Sequence, residues 1–241
     1  MFLKRLYREH PEFHLGLRDQ SAVAVGIAAW GLMTGVAMVQ SGLSAIEAML
    51  MTVFVYAGSA QLAAIPLLAG GAPMWVVMAT ALCVNLRFVV FSAHLRPHMM
   101  HLPRWERILT GYLTGDLTYA YFARRYAHAP RDGAEQVAQQ AYLLGNCAIN
   151  YGAWMTASLL GVALANAVPP SWGLGFAGIL ALVGVACSMI DSPLRAVAAG
   201  VASAAAVVAW ALPLKLNILV AIAAAVAICL VMEASDRSGS L

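Results

Sequence analysis

The chain has 241 residues, 62% hydrophobic and 10% charged, with a formal net charge of +3. Soluble domains carry about a quarter charged residues, so a water-soluble fold of this length has no way to hide so much apolar surface. The basic residues sit mainly in an N-terminal arm (Lys4, Arg5, Arg8, Arg18) and two connecting segments (Arg96, Arg104, Arg107; Arg124, Arg125, Arg131). They form no basic stripe interleaved with aromatics, so no nucleic-acid partner is expected.

Residues 1–20 read as a polar cytoplasmic arm. The first apolar stretch, Ser21 to Gln40, has no small-residue cleavage site and reads as a retained span and not a removed signal peptide. Between Gln20 and Leu86 the only formal charge is Glu47, and between Gln136 and Ile190 there is none. Further candidate membrane helices follow at Ala45 to Ala69, Met74 to Ala93, Ile108 to Ala123, Ala138 to Ala165, Trp172 to Ile190, Leu194 to Leu212 and Leu214 to Met232. The breaks between them, Ser41-Gly42, Gly70 to Pro73, Pro169-Pro170, Asp191 to Pro193 and Pro213, all disfavour helix continuation. The expectation is an all-α, polytopic integral membrane protein of seven or eight membrane helices. A single transport domain occupies 21–232, with a short polar tail at 233–241.

The basic arm places the N-terminus in the cytoplasm. Basic segments flank both ends of Ile108 to Ala123, a short stretch that carries Gly111, Thr114, Gly115, Asp116 and Thr118. A simple crossing there leaves three arginines on the wrong side, and a re-entrant or broken helix resolves the conflict. Gly31-xxx-Gly35 and Gly111-xxx-Gly115 read as faces where backbones approach closely. Gly173 to Gly178 matches the spacing of a dinucleotide fingerprint, but it follows no strand. The four cysteines lie far apart within apolar runs, so neither disulfides, a metal cluster nor any cofactor is expected.

Polar residues at membrane depth are functional candidates by default, because each costs about 2.5–3.5 kcal/mol to insert when charged. Tyr56, Gly58, Ser59 and Gln61, with Pro66 beyond, are what a locally unwound helix uses to offer backbone groups to a ligand; a helix contact through Gln61 explains them equally. Asn85 and Arg87 come next. Arg87 carries a fork suited to a carboxylate, and snorkelling to headgroups is its alternative. Asp116 is either a proton-coupling carboxylate, a fixed partner for Arg87, or a residue of a wet loop. Glu47 reads as interfacial. Asn146 and Asn150 share one helix face, extended by Tyr142 and Trp154, and either line a polar cavity or bond to a neighbouring helix. His94, His98 and His101 read as a solvated juxtamembrane stretch interrupted by Pro97.

Taken together, these segments resemble the AzlC family, the large subunit of branched-chain amino acid exporters, also known as the YgaZ type. The resemblance runs from about Gly16 to Met232. It rests on Tyr56-Ala57-Gly58-Ser59-Ala60-Gln61, Asn85-Leu86-Arg87-Phe88, Thr114-Gly115-Asp116, Trp154 with Gly161, and Leu174-Gly175-Phe176-Ala177. It implies export of valine, leucine, isoleucine or related neutral amino acids such as methionine across the bacterial inner membrane. It also implies a separately encoded four-helix membrane partner of the AzlD or YgaH type. The chain departs from the family pattern at Gly115-Asp116-Leu117, where Thr-Asp-Glu is common, and at Gly175, where an acidic residue is.

The residues thus point to a carrier coupled to proton influx. Backbone N–H groups near Ser59, or Arg87, would hold the substrate carboxylate. Gln61, Asn85, Asn146 and Asp116 would supply acceptors. The alternatives are a channel, a structural membrane subunit, or an intramembrane hydrolase with Ser59 as nucleophile and His94 as base.

Overall fold

The computed structural model describes residues 5–167 and 193–208, with scattered positions between 220 and 232. The expected helix Trp172 to Ile190, most of Leu214 to Met232, the dinucleotide-like glycines, Cys187 and the polar tail lie outside the described residues. Within them every regular element is a helix. In chain order these are α1 (Arg5–Arg8), α2 (Pro11–Ser21), α3 (Ala24–Gln40), α4 (Ala45–Val55), α5 (Gly58–Ala69), α6 (Met74–Met99), α7 (Arg104–Leu113), α8 (Asp116–Arg125), α9 (Gly133–Leu164) and α10 (Pro193–Val208). The chain forms two compact units, Met1–Gly58 with Asn85–Leu174, and Ser59–Val84 with Gly175–Leu241.

Helix starts follow local chemistry. Ser44 and Glu47 make a reciprocal capping box at the start of α4: Ser44 Oγ accepts from the Glu47 N–H at 3.3 Å, and Glu47 Oε2 accepts from the Ser44 N–H at 2.8 Å. Glu47 is therefore an exposed cap, as its position at the end of a span suggests. Asp132 caps α9 from one side, its Oδ1 accepting from the Glu135 N–H at 2.8 Å, while Glu135 Oε2 accepts from the Arg131 N–H at 2.7 Å.

In the first unit α9 is the central rod, and α2 and α3 pack along it. Two glycine crossings bring the backbones together. A Cβ on Gly35 would collide with the Ser158 carbonyl, and one on Gly161 with the carbonyl of Leu32. Below them, Gly16 lies against the Tyr142 carbonyl and Gly145 against that of Phe13. This close approach is how membrane helices associate without a hydrophobic driving force between them. Buried side chains add to it: Thr52 on α4 and Ser158 on α9 share a hydrogen bond of 3.0 Å.

Among the described residues α6 and α9 are long and apolar enough to cross a membrane. The pair α2 and α3, bent by 61° at their junction, makes a third candidate if counted as one. Two expected spans are interrupted, as the broken-helix readings of both anticipated. Ala45 to Ala69 breaks between α4 and α5 at Tyr56, and α5 runs through Pro66. Ile108 to Ala123 breaks between α7 and α8 at Thr114 and Gly115.

The solvated reading holds for His94 and His101, which are exposed, but not for His98. Helix α6 also continues through Pro97 to Met99 despite the lost backbone donor. His98 is buried, with Nδ1 2.8 Å from Gln139 Oε1. His94 Nδ1 lies 3.0 Å from the Tyr119 hydroxyl.

Outside the apolar segments, α2 is tied to the end of α8. Arg125 donates to both carboxylate oxygens of Glu12, through Nε at 2.9 Å and Nη2 at 2.7 Å. The Tyr126 hydroxyl adds a third bond at 2.8 Å. Burial pulls the Glu12 carboxyl upward, but these donors outweigh it and hold it below its ordinary 4.5.

Two outcomes are expected from thermal unfolding of the purified protein. Gly161→Val drives a side chain into the Leu32 carbonyl and costs about 1–3 kcal/mol or more, whereas Gly152→Ala, with open space around its Cβ, is neutral or stabilising. A carboxylate depressed in the folded state contributes stability above its unfolded pKa and loses it as pH falls through the folded value. The wild type therefore loses melting temperature as pH falls below about 4.5 more steeply than Glu12→Gln does.

Candidate functional site

The two helix breaks of the first unit converge on one side chain. Tyr56, between α4 and α5, adopts the left-handed conformation at φ 43° and ψ 41°, which costs an L-residue about 1–2 kcal/mol. Its hydroxyl accepts a hydrogen bond from Asn150 Nδ2 at 2.6 Å. At the other break, a Cβ on Gly115 would sit 3.1 Å from that same Nδ2. Glycine at 115 thus lets the α7–α8 junction press on the amide that holds the α4–α5 junction.

Further groups complete the site. Gln20, at the end of α2, donates from Nε2 to Asn150 Oδ1 at 2.9 Å, so both ends of the Asn150 amide are engaged. The Tyr112 hydroxyl donates to the carbonyl of Val53, which lies in the last turn of α4 and has lost its helical partner. The rings of Tyr56, Tyr112 and Tyr151 lie 5.1–6.3 Å apart. The indole of Trp154 covers Gly58 so closely that a Cβ there would collide with it.

Asp116 opens α8 directly after Gly115, and Arg87 Nε lies 3.0 Å from its Oδ1. With α6 extending to Met99, Arg87 sits near the middle of that helix, and its guanidinium reaches Asp116 instead of a helix end. The pairing alternative for Asp116 is the geometry observed.

Asn146 lies one turn below Asn150 and fully buried, pressed against Gly16 of α2. Its Nδ2 donates to the Tyr142 carbonyl at 2.9 Å, while its Oδ1 has no partner among the described residues. The same holds for the buried Oε1 of Gln20 and Oδ1 of Asn85. The stripe Tyr142, Asn146, Asn150 and Trp154 is therefore split: its lower half is a helix contact, and its upper half meets the breaks. Ser59 and Gln61 are buried residues of the second unit.

Three contributors escaped the sequence reading. Gln20 ends a polar arm and resembles a solvated boundary residue, although it is the last amide before a long uncharged run. Tyr112 and Tyr151 come from separate elements, and no periodicity links them to Tyr56. Their common signal is a tyrosine beside each short polar segment.

The AzlC protein family matches residues 22–168, more than half of the chain and the whole of this site except Gln20. Membrane proteins of two Helicobacter pylori strains, both described as uncharacterized, are 28% and 27% identical over 140 residues, covering 58% of this chain and 58% of their own. The inner membrane protein YgaZ of Escherichia coli is 21% identical over 149 residues, covering 62% of this chain and 59% of its own. Each match thus spans less than two thirds of the relative's length, and no solved structure matches the chain. The family match encloses both helix breaks and the rod that joins them, and the chain is accordingly a membrane protein that belongs to the AzlC family.

Proposed function

We propose that this protein is the large subunit of a carrier that exports branched-chain or related neutral amino acids, and that the two helix breaks around Asn150 form its substrate site. The observation that carries this reading is the convergence of both interruptions on one buried amide. Interrupted helices free backbone groups at membrane depth, where carriers use them to hold polar solutes. Family membership and the likeness to an inner membrane protein support transport in preference to catalysis.

A zwitterionic substrate needs an anion partner, acceptors for its ammonium and an apolar slot. Arg87 is the anion partner. A substrate carboxylate arriving there competes with Asp116, which on losing its cation becomes able to take a proton; this exchange couples export to proton influx. The unpaired Gln20 Oε1, Asn146 Oδ1 and Asn85 Oδ1 are acceptors suited to an ammonium. The tyrosines and Trp154 supply apolar surface. Tyr56, Gly58 and Asn150 set the break, and a small AzlD-type membrane subunit completes the carrier. The basic arm favours a cytoplasmic N-terminus.

Vesicles containing this protein and its small partner are expected to move valine or methionine with saturation and counterflow, and faster under an inward proton gradient. Linear, non-saturating flux identifies a pore, and flux indifferent to pH removes the coupling. Arg87→Lys keeps the charge but loses the fork, and is expected to weaken apparent affinity about tenfold; an unchanged value removes Arg87 from substrate binding. Asn150→Leu strands the Tyr56 hydroxyl and the Gln20 amide, and is expected to cost about 1–3 kcal/mol of stability for each, read as a lowered melting temperature, together with loss of flux.

A further inference from the structure

Helix α7 turns one face toward the end of α6 and leaves a basic pocket between them. A cavity of about 370 Å³ lies between Ser92 on α6 and Arg104, Arg107, Ile108 and Gly111 on α7. These four are at helical i, i+3, i+4, i+7 spacing, so they share a face. A second cavity of about 260 Å³ shares Ser92, Arg107 and Gly111 and adds Arg96 and Met100.

Neither lining contains a carboxylate. The guanidinium of Arg107 has one hydrogen bond among the described residues, from Nη1 to the thioether of Met100 at 3.2 Å, a weak acceptor. Three arginine forks therefore line two adjoining cavities that share Arg107, with no carboxylate among the described residues of either lining. A guanidinium matches phosphate oxygens in two-pronged fashion.

The pocket's depth and rim fit a lipid. Position 96 lies 22 residues beyond the start of α6, about 33 Å along the helix, just past a hydrocarbon core of about 30 Å. At the rim Trp105, Ile108 and Met100 are 71%, 63% and 51% exposed, and tryptophan at such a level is characteristic of the bilayer interface. Val89, 64% exposed, continues the Ser92 face of α6 into the apolar zone.

Gly111 supplies an independent observation. It lies in the last turn of α7, and among the described residues a Cβ there would meet nothing within 4 Å. No close contact with a described helix requires glycine at this position; a larger side chain would enter the pocket.

We propose that this pocket binds the headgroup of an anionic phospholipid, with its phosphate among Arg96, Arg104 and Arg107 and its acyl chains over Ile108 and Val89. Such a lipid ties α7, and through it the α7–α8 break, to one face of the bilayer. The site stands apart from the substrate reading and is tested by lipid binding, not by flux.

The detergent-solubilised full chain is titrated with phosphatidylglycerol, and retained lipid is counted by native mass spectrometry. One tightly retained phosphatidylglycerol is expected, in preference to phosphatidylcholine. Each arginine removed in Arg104→Gln and Arg107→Gln weakens it roughly fivefold. Gly111→Leu, which leaves every charge in place, abolishes retention, and the control pair Arg124→Gln with Arg131→Gln leaves it intact. Equal retention of phosphatidylcholine overturns the proposal, as does retention that survives Gly111→Leu or falls equally in the control pair. Displacement by millimolar inorganic phosphate reassigns the pocket to the free anion and overturns the lipid. Should the arginine variants fail to fold, Gly111→Leu decides alone, because its side chain enters open space.

Discussion

A helix interrupted at membrane depth must find new partners for the backbone groups it frees, because no bulk water is there to take them. Here that constraint is met by side chains of other helices. The Tyr112 hydroxyl takes the carbonyl of Val53, and the Asn150 amide holds the hydroxyl of Tyr56 in its left-handed conformation. Remove that amide and the first break loses its anchor, while Gly115, placed against the same nitrogen, loses its contact. The position of Gly58 beneath Trp154 and the start of α8 at Asp116 both follow from these two junctions.

Much of this was legible in the residues. Length and composition required a membrane protein, and Gly58-Ser59-Ala60-Gln61 after Tyr56 signalled one interruption; the break falls at Tyr56 and Ala57, and those four residues open α5. Charge on both sides of Ile108 to Ala123 marked the other. The close helix contact at Gly31-xxx-Gly35 was also readable, whereas Gly111 of the second such pair faces open space. Other features had no local signal. Gln20 reaches Asn150 across 130 positions, and only the docking of α2 on α9 makes it part of the site. Pro97 carried a misleading signal: α6 continues through it to Met99, although a proline there gives up a backbone donor to the preceding turn.

Arg87 and Asp116 illustrate why membrane charges resist assignment by position alone. Either residue by itself at this depth would be costly; as a pair they neutralise each other and remain exchangeable. Under the proposed carrier function the same geometry would serve both ends: a structural pair at rest, and a transport element once a carboxylate-bearing solute entered it.

The seam between α3 and α9 has a mechanical corollary. Where Gly35 and Gly161 meet bare carbonyls, the two backbones interlock like teeth, and sliding by less than a full helical turn would force atoms into one another. This part of the first unit behaves as a stiff strut. Under the carrier function proposed above, any tilting that exposed a solute to one compartment and then the other would fall to the half-length helices α4, α7 and α8 of the same unit, pivoting while the strut stays still.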